Sequence, residues 1–387
     1  MSKLDRLIAE LCPDGVEYKT LGDVCLATSN ISWANAKGTY QYIDLTSVDR
    51  DTHKINDTTT ITSDNAPSRA QKIVATEDII FGTTRPTLKR YCVIPSEYDG
   101  QICSTGYCVL RANKTVALPK FLYYVIGTSS FDDYVEANQR GSAYPTISDG
   151  DVKKFVFPLP PLAVQYAIAC ILDNFTELTA ELTAELTAEL TARKKQYEYY
   201  RNELLTFGDD LEWSKLNEVG IMKRGTYITK KNTVPGNIPV ILGGQEPAYY
   251  CDTSNHDGEA IVISRSGAYA GFVSFWNQPI FVTDGFILET KDRLIMRYLY
   301  HYLKNMQDSL HEMKRGGGVP HVRGNEIMEI KIPLPPLEEQ ARIVAILDKF
   351  DALTTDISVG LPIEIEARKK QYEYYRDMLL TFKEVGA

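Results

Sequence analysis

The sequence predicts an α+β fold: two globular mixed α/β domains related by a pseudo-twofold, separated by two long helices that form an antiparallel coiled coil. Three observations predict it. Residues 157–175 (FPLPPLAVQYAIACILDNF) return at 332–350 as IPLPPLEEQARIVAILDKF, and ARKKQYEYYR stands at both 192–201 and 367–376, always at an offset of 175. The stretches ahead of each copied tract match only faintly: DGVEYKTLGDV from Asp14 with DDLEWSKLNEV from Asp209, STGYCVL from Ser104 with TDGFILE from Thr283, RGSAYPTI from Arg140 with RGGGVPHV from Arg315. Between the copied pieces of the first half lies TELTAELTAELTAEL, made of residues that favour a helix and containing no His, Cys or Asp. The chain therefore divides into a first domain (1–157), a first helical spacer (158–207), a second domain (208–332) and a second helical region (333–387).

The copied tract reads as a helix by several independent signs. Pro-Leu-Pro-Pro is extended and ends with Pro at the first helical position, and Glu338 and Glu339 put negative charge where the helix dipole favours it. Apolar residues then recur on one face, at Ile168, Ile171, Leu172 and Phe175, and at Ile343, Ile346, Leu347 and Phe350. In the repeat, Leu178, Leu182, Leu186 and Leu190 fall four apart, so each step turns the stripe by about 40° and yields a broad ribbon suited to lying along another helix. The glutamates at 177, 181, 185 and 189 repel one another by a few tenths of a kcal/mol per pair, and Glu189 with Arg193 closes the column favourably. Unbroken from Leu162 to Thr206, this helix would run roughly 65–70 Å. Its copy has VGLPIEI instead, where Gly360 and Pro362 predict a break and a restart. A pseudo-twofold crossing the pair makes the two helices antiparallel and holds the two domains at opposite ends.

Each domain contains a strand-like run that ends in arginine at a turn, DIIFGTTRPTLKR from Asp78 and AIVISRSGAYAGFV from Ala260. Arg85 and Arg265 occupy matching places there, with Lys89 and Arg90 following the first. Such an arginine can reach a guanine edge or a phosphate, or pair with a nearby carboxylate. A second basic, glycine-rich loop holds Arg140 in one half and Arg315, His321 and Arg323 in the other. Amides freed by glycine beside arginine suit a phosphate, and a plain turn into the last strand is the other reading. Lys223 and Arg224 add charge to the second domain. The tyrosine clusters, with Tyr197, Tyr200 and Arg201 in one copy and Tyr372, Tyr375 and Arg376 in the other, invite base stacking, but their place in a charged helix favours packing or docking of a protein partner. A duplicated surface implies two equivalent partners.

Composition permits this without proposing it. The net charge is −9, yet residues 162–206 carry 4 basic against 7 acidic side chains and residues 337–382 carry 6 against 9, which leaves the rest nearly neutral. Seven scattered cysteines show no metal-ligand spacing and read as reduced, buried thiols. The stretch MSKLDRLIAEL carries Asp5 and Arg6 where a signal peptide would be apolar, and no run of about 18 apolar residues occurs, so a cytoplasmic chain with no membrane span is expected. Enzyme signatures fail. PDGVEYK imitates a metal-nuclease motif, but only two residues separate Asp14 from Glu17. No phosphate loop, dinucleotide turn, zinc helix, nucleophile elbow or Asn/Asp-Pro-Pro-aromatic motif of adenine methyltransferases occurs, so no catalytic or metal-binding residue is expected.

Two variable domains, each followed by a PLPPL…Q…ILD.F helix ending in RKKQYEYYR, with TAEL repeats in the spacer, closely resemble the specificity (S) subunit of Type I restriction-modification enzymes over essentially the whole chain. The resemblance implies two target-recognition domains that read the halves of a bipartite site on double-stranded DNA, held apart by the helices as by a ruler. It implies no catalysis and no cofactor in this chain. Two methyltransferase (M) subunits would dock on the copied regions and use S-adenosylmethionine to methylate adenine, and restriction (R) subunits would add ATP-dependent, Mg²⁺-requiring cleavage. The strand-then-Arg-Gly pattern at Arg265 resembles that family's recognition motif; Arg85, lacking the glycine, matches it less well. A coiled-coil scaffold joining two protein partners without DNA is the rival reading, and it leaves the divergence of the two domains unexplained.

Each TAEL unit adds about 6 Å and about 40° of turn against about 3.4 Å per base pair. Deleting residues 183–186 is expected to shorten the gap between half-sites by one or two base pairs and leave both half-sites unchanged. Sequencing the methylated motifs of the deletion strain reads this directly.

Overall fold

The computed structural model describes residues 3–208, 211–290, 292–316, 318–354 and 361–386. The chain forms two compact units, Met1–Ala184 with Glu366–Ala387, and Glu185–Ile365. These boundaries fall inside the helices, whereas the linear division by sequence set them at helix ends. The second helical region is accordingly shared: Leu337–Thr354 belongs to the second unit, and most of Leu361–Leu379 to the first.

The two units repeat one plan, although among the described residues the sheet with the parallel pair has four strands in the first unit and three in the second. In the first, a four-stranded antiparallel sheet runs in the order Cys25–Leu26, Tyr107–Ala112, Ile79–Gly82, Tyr91–Val93; in the second it runs Gly220–Arg224, Gly285–Thr290, Ala260–Ser264, Val273–Trp276. The central strands IIFG and AIVIS are buried throughout, as continuous apolar runs covered on both faces must be. A second sheet in each unit contains one parallel pair, Tyr40–Ile43 with Ile102–Ser104 and Ile238–Ile241 with Phe281–Val282. A two-stranded ribbon closes each domain, Glu17–Thr20 on Val156–Leu159 and Trp213–Lys215 on Lys331–Pro333. Glu17 and Lys19 on that first ribbon pair with each other at 2.9 Å.

The repeat helix spans Leu162–Leu204, 43 residues without interruption. Gln165 and Gln340, at the same place in the two copied tracts, each donate from Nε2 to a proline carbonyl five residues back, Pro160 at 2.7 Å and Pro335 at 2.8 Å, and so fix the turn from strand into helix. The expected pair Glu189–Arg193 forms at 3.3 Å. The leucine ribbon is only partly covered, with Leu178 and Leu182 exposed and Leu186 and Leu190 half-buried. A stripe that turns by about 40° at every step cannot keep all four leucines against one straight neighbour. The break expected at Gly360 lies outside the described residues; Leu361–Leu379 carries Pro362 in its first turn.

Within each unit the copied residues form one clasp. In the second, Phe350 stacks between Tyr197 and Tyr200, at 6.1 and 5.5 Å between ring centres. Asp348 accepts from His301 Nε2 at 2.6 Å and from Arg297 Nη2 at 2.5 Å, both on Arg293–Asn305, while the Tyr197 hydroxyl lies 3.4 Å from His301 Nδ1. In the first unit the counterparts of Phe350 and Tyr200, namely Phe175 and Tyr375, meet at 6.2 Å. There Asp173 accepts from Tyr124 and Lys120 on Pro119–Val125, and Thr176 bonds the Tyr372 hydroxyl at 2.9 Å. The aspartate of each ILD tract thus ties a domain helix to the copied helices. The first unit is also closed by backbone: Val16 donates to the Lys383 carbonyl at 2.9 Å and accepts from Val385 at 3.1 Å. Gly15 makes this approach possible, with φ at +104° and a position where a Cβ would lie 2.4 Å from the Lys383 oxygen.

Burial works to raise the Asp348 carboxyl, but the bonds from His301 and Arg297 outweigh it and hold it below the ordinary carboxylate range. Burial also holds His301 below the usual histidine value, against the pull of Asp348. A histidine kept neutral contributes fully above about pH 6.5 and progressively less below it; the depressed carboxylate keeps its contribution to about pH 4 and loses it as pH falls through its folded value. Asp348→Ala is expected to lower the unfolding free energy at neutral pH by about 1–3 kcal/mol. His301→Gln should flatten the decline that sets in as pH falls below about 6.5. Urea unfolding at a series of pH values measures both.

Candidate nucleic-acid interface

In the second unit the strand Ala260–Ser264 delivers Arg265 into a turn whose backbone is held from both sides. Arg265 N donates to the Asp284 carbonyl at 3.0 Å, and its own carbonyl accepts from Val322 N at 2.9 Å. Ser266 bridges to His321, Gly267 N donates to the Pro320 carbonyl at 2.9 Å, and Arg315 exchanges two backbone bonds with His321. The two basic loops singled out in the sequence are therefore one composite edge. The first unit builds the same edge: Thr84 bridges to Thr146, Arg85 N donates to the Pro145 carbonyl at 2.7 Å, Arg140 exchanges two bonds with Thr146, and Ile147 N donates to the Thr83 carbonyl.

This register corrects the expected match between the two turn arginines. Arg85 corresponds to Gly267, and the position of Arg265 is taken by Thr83. Both Arg85 and Gly267 have positive φ, 49° and 87°. Gly267 adopts it freely, whereas a non-glycine residue there costs on the order of 1–2 kcal/mol, an expense met at sites where the side chain has a task. Arg85 spreads over the exposed Tyr144 ring, 4.4 Å from its centre, and neither Arg85 nor Arg140 forms an ion pair with a described residue. Tyr144 was not singled out in the sequence; the only signal was its place between the glycine loop and Pro145.

The other expected residues fall into two groups. Arg224 and Arg265 line one open cavity together with Tyr227, Lys230, Tyr249 and Asp284. Arg315 and Arg323 lie exposed at the edge and share the Glu326 carboxylate, at 3.2 and 3.6 Å. Lys223 points away from Arg224 along its strand and pairs with Glu289 at 2.8 Å; Lys89 pairs with Asp132. Arg90 is turned inward and donates to the Val48 carbonyl, which removes it from the exposed edge.

The tyrosine clusters are corrected in part. Tyr197 and Arg376, expected on a partner-facing surface, are buried in the clasps, because the copied helix packs these positions against its own unit. Arg376 bonds its neighbour Asp377, whose carboxylate receives Ser129 N at 3.1 Å; Arg201 bonds Asn305 at 3.1 Å, and Tyr372 is half-buried on Thr176. Tyr200 and Tyr375 remain partly exposed, and their neighbours Tyr199 and Tyr374 are exposed.

A basic composite edge built twice on one domain plan is the framework of a DNA-recognition subunit. The chain belongs to the Type I restriction modification DNA specificity domain family, whose model matches residues 13–192 and again 208–367. It is 36% identical to the putative type I restriction enzyme specificity subunit S.HindORF215P of Haemophilus influenzae, over 68% of this chain and 72% of that one. It is also 36% identical to the Type I restriction enzyme EcoR124I/EcoR124II specificity subunit of Escherichia coli, over 70% and 72%. In three dimensions it resembles a chain from a structure solved to explain complex assembly and conformational transition of the type I R-M system, with a TM-score of 0.73, 28% identity and coverage of 95% and 98%. It resembles the crystal structure of the HsdS subunit from Thermoanaerobacter tengcongensis with a TM-score of 0.55, 27% identity and coverage of 96% on both sides.

An arginine that contacts only a phosphate carries no sequence information. Arg140→Ala in the assembled complex is expected to weaken binding to all duplexes alike and to lower the slope of log affinity against log salt by about one. Fluorescence anisotropy across a salt series measures it.

Proposed function

We propose that this chain is the non-catalytic reader of a type I restriction-modification complex, recognising a bipartite site on double-stranded DNA with one half-site per unit. The observation that carries the reading is the composite basic edge, formed in both units by the same backbone bonds yet furnished with different side chains: Arg85, Tyr144 and Arg140 in one, Arg265, Arg315, His321 and Arg323 in the other. One framework with two sets of contacting groups suits a site whose halves differ. The 43-residue helix sets the gap between them. Methyltransferase subunits dock on the copied helical regions through Tyr200, Tyr375 and their exposed neighbours, and the two-fold repetition of those regions favours two such subunits. S-adenosylmethionine binds those partners, while ATP and Mg²⁺ serve restriction subunits that complete the complex. No helix among the described residues is long and apolar enough to cross a membrane, in keeping with work in the cytoplasm.

The purified chain alone is expected to transfer no methyl group and cut no DNA, and to direct adenine methylation to a two-part motif once methyltransferase subunits are added. Radiolabelled methyl transfer to duplex with and without the partners tests this; turnover by the chain alone would overturn it.

A further inference from the structure

The Arg265–Asp284 pair has a geometry that a simple surface ion pair does not need. Asp284 accepts from Arg265 Nη1 at 2.9 Å through one carboxylate oxygen and from the Ser266 hydroxyl through the other, while its carbonyl accepts Arg265 N at 3.0 Å. Two bonds thus hold the carboxylate and a third holds the backbone of the same residue, so the group that faces the guanidinium is fixed at both ends. A guanidinium carries five N–H donors in a planar fork. Giving one to Asp284 leaves the Nε–Nη2 edge, two parallel donors, without a described partner. About a third of the side chain stays exposed, on the wall of the cavity shared with Arg224, Lys230 and Tyr227.

The duplication supplies a second, independent observation. In the first unit the equivalent positions are Thr83 and Gly106, joined by the same backbone bond, at 2.7 Å. Arginine and aspartate are present together in one unit and absent together in the other, although the backbone needs neither.

We propose that Arg265 reads a guanine in the half-site of the second unit, and that Asp284 is the positioning residue that aims its fork. Two parallel donors match the O6 and N7 acceptors of guanine in the major groove and no other base edge there. A phosphate would be served by an arginine free to swing, so the clamp gives up reach for direction. The first unit, lacking the pair, reads its half-site by other groups. This inference rests on the DNA-recognition reading above.

The test uses the full chain assembled with its methyltransferase subunits. Methylated motifs are mapped for the wild type, and competition binding is measured on duplexes with each G·C pair of either half-site replaced in turn. Arg265→Ala is expected to abolish discrimination at one G·C pair, a loss of roughly 5- to 150-fold, and to leave the other half-site unchanged. Asp284→Ala should weaken discrimination at that same pair while leaving the salt slope as in the wild type. Thermal melting checks that the variants fold; if Arg265→Ala does not, Arg265→Lys carries the test, since an ammonium cannot present two fixed parallel donors. The proposal is overturned if neither half-site requires a G·C pair, if Arg265 variants weaken all duplexes equally with a reduced salt slope, or if Asp284→Ala leaves discrimination intact. A wild-type complex that selects no duplex would instead overturn the reading on which the proposal rests.

Discussion

The structure depends on one half-buried arrangement made twice: a carboxylate in the ILD tract that fixes a domain helix to the copied helices. Asp348 takes His301 and Arg297, and Asp173 takes Tyr124 and Lys120. Around each aspartate the copied phenylalanine meets a copied tyrosine, so charge-assisted bonds give direction while ring contact excludes water. This explains why the helical tracts are copied almost letter for letter. A residue that must satisfy a partner on its own domain and a ring on the other copied tract has little freedom to change.

The faint part of the repeat follows from the opposite condition. The strands keep their pairing because apolar runs such as IIFG and AIVIS need only be buried, and many sequences meet that need. The basic edge keeps its backbone bonds while its side chains are free to differ, which is the property required of a surface that reads different bases. Thr83 against Arg265, and Arg85 against Gly267, are the clearest instances.

Much of this was legible in the sequence because the copied tract carries strict periodicity and fixed spacing. The long helix, the domain duplication, the Pro-rich turn into each helix and the Glu189–Arg193 pair all come from local rules that operate within a few residues. What was not legible is long-range. The register that pairs Arg85 with Gly267 is set by hydrogen bonds to residues about 60 positions away, and the Arg265–Asp284 clamp spans 19 residues between two strands that the sequence shows only as apolar runs. Tyr197 and Arg376 look like surface residues because charged neighbours surround them; only the helix facing them buries them. Tyr144 had no pattern to announce it, since a single exposed aromatic is ordinary.

The closing of the first unit by Val16, Lys383 and Val385 bears on how the protein is made. A ribosome delivers the chain from one end, and domains fold as units once their residues have emerged. Residues 185–365 are contiguous, so the whole second unit is synthesised before the clasp residues of 366–386 that the first unit needs, which come more than 180 positions after the rest of its core. The domain synthesised first is therefore the one completed last, and until then its half of the clasp lacks the rings that Phe175 and Thr176 meet, Tyr375 and Tyr372.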